Sequence, residues 1–143
     1  MDKKILTSPC GLDCFSCRTY EGNITEEWKK QVSEFLKIPV EETPCKGCRA
    51  EMGNCRYTPG SRCVTWECVH EKGLAFCYEC NDFPCEMLMP SKMGADFPHN
   101  LKVYNLCRIK NVGIDKWLEE IEEIRKRYFE GSFEVGKGPV LKK

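Results

Sequence analysis

Three closely spaced cysteine pairs, Cys14-Phe-Ser-Cys17, Cys45-Lys-Gly-Cys48 and Cys77-Tyr-Glu-Cys80, constrain this chain more than any other feature. At this spacing both thiolates of a pair can face one ion while the backbone N–H groups between them bend toward the sulfurs, which makes half of a four-cysteine zinc site. The second pair also carries Gly47, a residue that tight knuckle turns favour. Cys10, Cys63, Cys68 and Cys85 lie near the pairs, so these ten cysteines would supply two tetrahedral sites with two to spare, or a site that shares bridging sulfurs. The spacing leaves the pairing open. Cys55 suits a ligand or a small buried hydrophobe equally well. Cys107, distant from the rest and on the apolar stripe of an expected helix, is assigned to the core.

Compartment decides between metal and disulfide. The segment Met1-Asp2-Lys3-Lys4-Ile5-Leu6 has no apolar run long enough for a signal peptide, and no later stretch reaches the length of a membrane span. The expectation is a cytoplasmic protein, and in a reducing cytosol thiols stay free or bind metal. Something beyond apolar burial must hold the fold, because only about a third of the chain stays apolar once the twelve cysteines are set aside.

Partners are constrained by charge. Lys+Arg and Asp+Glu both number 22, so no global field draws the chain to nucleic acid or to an anionic membrane. Arg18, Tyr20, Lys46, Arg49, Arg56, Tyr57 and Lys102 put basic and aromatic groups near the cysteines, as in knuckles that hold single strands, but neighbouring acids dilute that signal. The expected partner is an unidentified protein, with neither membrane nor nucleic acid.

The periodicity predicts a helix over 25–37, capped by a box of Asn23 and Glu26, with Trp28, Val32, Phe35 and Leu36 on one stripe and Pro39 ending it. A short helix follows Ser61, takes Cys63 to Glu71 and stops at Gly73. Residues 97–111 predict a third, with Leu101, Tyr104 and Cys107 on one stripe, Val103 and Leu106 on an adjoining one, and Gly113 behind it. The next opens near Asp115 and aligns Ile114, Trp117, Leu118, Ile121, Ile124 and Tyr128 opposite a run of glutamates. Residues 131–143, rich in glycine and lysine, are expected to form a flexible tail or a stray edge strand. The expected fold is therefore mainly α: one small metal-stapled, cysteine-rich domain over 1–130, with irregular zinc-knuckle loops, at most short strands, and a C-terminal helical pair.

Cys10-Gly-Leu-Asp-Cys14-x-x-Cys17, Cys45-x-Gly-Cys48-Arg49, Cys63-x4-Cys68, Cys77-x-x-Cys80 with Phe83-Pro84-Cys85, and Asn100-Leu101 running on to Ile109, Gly113 and Trp117-Leu118 occur together. Over residues 8–120 this pattern resembles the uncharacterised cysteine-rich domain-of-unknown-function family 3795 of bacteria and archaea. The resemblance implies a metal-binding role and names no activity.

Catalytic patterns are incomplete. Cys10-x3-Cys14-x2-Cys17 has the spacing of a radical S-adenosylmethionine cluster, but the chain is short for such a barrel and lacks its strand–helix alternation. His70-Glu71 begins a zincin motif, yet Leu74 stands where the second histidine belongs. Pro84-Cys85 would begin a deaminase motif, but Leu88 replaces its last cysteine. His70 and His99 are assigned to the surface. The reading is a zinc protein with two structural four-cysteine ions and a non-catalytic binding or adaptor role. The alternative is an iron–sulfur or redox protein built on the Cys10/Cys14/Cys17 group.

Overall fold

A computed structural model of the chain describes residues 1–57, 60–92, 97–136 and 138–141. It is a mostly helical small domain in which α1 (Glu26–Leu36), α2 (Val64–Glu71), α3 (Lys102–Val112) and α4 (Ile114–Glu130) are joined by turns, with a hairpin of β1 (Ser132–Glu134) and β2 (Gly138–Val140) at the end. Among the described residues no helix is long and apolar enough to cross a membrane.

Each helix stops where local chemistry dictates. α1 starts at Thr25, whose hydroxyl accepts the Trp28 N–H at 3.2 Å, and ends at Lys37 in the left-handed region. The box expected from Asn23 and Glu26 is therefore not the cap. The Asn23 amide is committed elsewhere, donating to the carbonyls of Phe15 at 2.7 Å and Cys17 at 2.9 Å. α2 follows Cys63 and gives way at Lys72 and Gly73, and α3 follows a 3₁₀ turn over Pro98–Leu101. Only Gly113 separates α3 from α4, which fixes them as neighbours.

α4 buries the stripe its period predicts, with Trp117 and Ile121 at 0% exposure. α3 turns a different face inward. Leu101, Lys102, Asn105, Leu106 and Ile109 are buried, whereas Tyr104 of the expected stripe is exposed and Cys107 only half-buried. The cause is Asn105, which donates to the Gly11 carbonyl at 2.8 Å and accepts from the Trp117 indole at 3.4 Å, so a polar residue docks α3 on the N-terminal loops.

Two apolar clusters share these helices. Leu6, Phe15, Leu101, Ile109, Trp117, Ile121 and Ile124 form one, and Cys10, Val69, Cys77, Leu88 and Leu106 the other. An ion pair at 2.8 Å between Arg125 of α4 and the buried Asp13 adds a second tie between the halves. Residues 132–134 and 138–140, within the stretch expected as tail or stray strand, pair antiparallel with Phe133 opposite Pro139. Lys137, Lys142 and Lys143 lie outside the described residues.

Candidate metal centre

The first and third cysteine pairs are the same local device. Cys14–Ser16 and Cys77–Glu79 each form a 3₁₀ turn, closed by the N–H of the second cysteine on the carbonyl of the first at 3.1 Å. An aromatic residue inside each turn anchors it: Phe15 is buried edge-on against Trp117, and Tyr78 stacks on Phe76. The middle pair turns through Gly47 at φ +97, where a Cβ would stand 2.7 Å from Leu6, so only glycine fits. Backbone N–H groups point at sulfur as the spacing predicts, from Thr19 to Cys17 and from Gly47 to Cys45, both at 3.4 Å.

Main-chain bonds bring distant segments together. The Cys45 N–H donates to Thr19 at 2.9 Å and its carbonyl accepts from Glu21 at 2.8 Å, laying the second pair beside the first. Gly53 donates to the Cys48 carbonyl and accepts from both Cys55 and Cys63, while the Cys77 N–H reaches the Pro9 carbonyl at 2.9 Å. Arg49, directly after Cys48, clamps three of these segments. It donates to Thr7 and Ala75 carbonyls at 2.8 Å each and lies over the Phe76 ring.

All twelve cysteines are free thiols. Cys10 and Cys77 are buried; Cys14, Cys45, Cys48, Cys63, Cys68, Cys80 and Cys85 are half-buried; Cys17 and Cys55 are exposed. The sulfurs lie near enough to act on one another by charge. Burial pushes Cys14 up to about 12, against the Cys48 amide, with Cys10, Cys45 and Cys17 adding to the rise. Burial and then Cys10, Cys14, Cys63 and Cys55 raise Cys48 further. Cys77 is pushed up to about 12 by burial, then by Cys10, Cys85 and Cys68. Cys80 receives the Lys72 ammonium at 3.1 Å, and the same ammonium pairs with Asp82.

This chemistry fits a soft divalent cation. Crowded, partly desolvated thiols resist ionisation on their own, and a bound cation would make the thiolate form favourable. Among the described residues, no three Cys, His, Asp or Glu side chains are already closed into a metal site. The Cys14, Cys17, Cys45, Cys48 and Cys63 segments converge at one end of this surface, with Cys68, Cys77, Cys80 and Cys85 at the other and Cys10 between them.

The cysteine pattern also decides relationship. The family described as Protein of unknown function (DUF3795) matches residues 6–90, more than half of the chain. The chain belongs to that family. The match takes in every cysteine except Cys107 and stops before α3, short of the 8–120 span that the motifs suggest. No curated protein and no solved structure matches the chain.

Three participants were not assigned from the sequence. Cys55, left open there, acts by charge on Cys48 and is itself raised, by burial first and then by Cys63, Cys17 and Cys10, against the Tyr57 amide. Lys72 and Asn105 gave no signal, since each acts through a group far along the chain or across the fold.

Proposed function

We propose that the protein is a structural zinc module, with closed all-thiolate sites drawn from Cys10, Cys14, Cys17, Cys45, Cys48, Cys63, Cys68, Cys77, Cys80 and Cys85, and that it serves as a non-catalytic binding or adaptor protein in the cytoplasm. The observation that carries this reading is the convergence of three C-x2-C pairs, far apart in sequence, through backbone bonds and Arg49. Two closed tetrahedral sites suffice for it. Sulfur at every corner leaves no open position for water or substrate, so the metal clamps loops and does no chemistry. The presented surface would then bind a protein partner, because zero net charge gives nucleic acid no general attraction.

Metal analysis of anaerobically purified protein tests the reading. Colourless protein with at least two zinc ions per chain is expected. Iron with matching sulfide and a broad absorption near ~400 nm would replace it with the iron–sulfur reading centred on Cys10, Cys14 and Cys17.

A further inference from the structure

The ten cysteines of the zinc reading leave an odd remainder once Cys55 is placed. Gly53 holds the amides of Cys55 at 3.0 Å and Cys63 at 2.9 Å with one carbonyl, and its own N–H reaches Cys48 at 2.9 Å. These three cysteines therefore share one turn. Cys45 is bonded beside the Cys17 segment through Thr19, and Cys14 abuts Gly47, its Cβ only 3.8 Å from where a Gly47 Cβ would stand. Cys10 faces the same group from the second apolar cluster.

Every cysteine from Cys10 to Cys63 thus belongs to one front group of seven. The next four form a separate group. Cys77 and Cys85 pack in the second apolar cluster, and Lys72 links the others, its N–H on the Cys68 carbonyl at 3.2 Å and its ammonium on Cys80. Buried Lys102 and the Lys72 ammonium both sit at this back group.

Tetrahedral geometry turns these numbers into stoichiometry. One ion takes four thiolates, and two ions whose tetrahedra share a corner take seven. We propose that the chain binds three zinc ions: a pair in the front group joined by one bridging thiolate, with Cys55 among its ligands, and a single ion held by Cys68, Cys77, Cys80 and Cys85. This rests on the zinc reading above and adds the third ion and the bridge. A four-thiolate zinc carries two net negative charges, which the Lys72 and Lys102 ammoniums oppose at the back site. The front cysteines sit on turns and short 3₁₀ segments, able to close on metal as ions displace thiol protons to solvent.

The test is native mass spectrometry of the zinc-loaded full chain, with alkylation of the same sample to map protected thiols. Three zinc ions, with Cys55 protected like the paired cysteines despite its exposure, are expected. Cys77→Ser should lower the count to two and leave Cys55 protected, and cadmium NMR of the cadmium-loaded variant should show two mutually coupled resonances. Two zinc ions in the wild type with Cys55 alkylated would overturn the third ion while leaving the zinc reading intact. Three ions without cadmium coupling would overturn the bridge. No bound zinc and general alkylation would overturn both readings together.

Discussion

Up to Leu88 the chain is mostly turns, 3₁₀ segments and two helices, whereas from Lys102 to Glu130 it is two helices separated by one glycine. The helical pair buries Leu106, Trp117 and Ile121 to 0% exposure and resembles an ordinary small core. In the front the buried groups include Thr7, Ser8, Asp13, Thr19 and Thr43 beside Cys10 and Cys77. Such interiors yield little transfer energy per residue, since polar groups need partners before they can be buried at all. The contrast teaches that the two halves depend on different forces, apolar burial behind and, on the proposed reading, metal in front.

Metal removal should break that comparison most sharply. A structural zinc contributes on the order of 10 kcal/mol to folding, comparable with the whole stability of a small domain. Trp28 and Trp66 report on the front and the fully buried Trp117 on the helical pair, so single-tryptophan variants separate them. Chelation should shift the emission of Trp28 and Trp66 while α3 and α4 keep their circular dichroism. Unchanged front emission in metal-free protein would sink the idea.

A smaller effect tests the bond between the halves. Arg125→Met would leave the Asp13 carboxylate, with a side chain only 3% exposed, buried without its cation, at a cost of about 3 kcal/mol. Denaturant melts should show that loss, and Arg125→Met combined with Asp13→Asn should recover part of it. Equal melts for wild type and Arg125→Met would mean that the pair does not hold front to back.

Asn105→Ala should cost about 1–3 kcal/mol by leaving the buried Gly11 carbonyl unpaired, whereas the exposed Tyr104→Ala should stay within about 0.5 kcal/mol. If the tyrosine variant proves the more destabilised in the same melts, the face assigned to α3 is wrong.

The least effect belongs to the helical pair alone. Arg108 hydrogen-bonds Glu120 at 2.7 Å twice and holds its carboxyl below the ordinary value of 4.5. Because the folded-state value is the lower one, this support is present above pH 4.5 and fades as pH falls through the depressed value. Glu120→Gln should therefore melt slightly lower than wild type near neutrality, and the gap should close in acid. A gap that widens with acid would reverse the sign.

How legible these features were follows from how local their causes are. Periodicity located all four helices, because α4 and its neighbours are amphipathic within their own turns. It misassigned the α1 cap and the α3 face for one reason: Asn23 and Asn105 spend their amides on carbonyls of distant residues, Phe15, Cys17 and Gly11. The hairpin of β1 and β2 was only a stray-strand reading, its glycines and lysines having no alternation to show. In the candidate centre the C-x2-C pairs announced themselves, while Cys55 did not, since its place depends on the Gly53 turn.

By itself the sequence determined the thiol-rich composition, the turns within each cysteine pair, the lengths of the helices and membership of the family, because these rest on neighbours a few residues apart. Only the tertiary structure decided which cysteine segments meet, which side of α3 faces inward and how Arg49, Asn105 and Asp13 tie loops to helices. Those contacts join residues up to 112 positions apart. Spacing along a chain carries no record of such closures, which arise only when buried polar groups find partners across the fold.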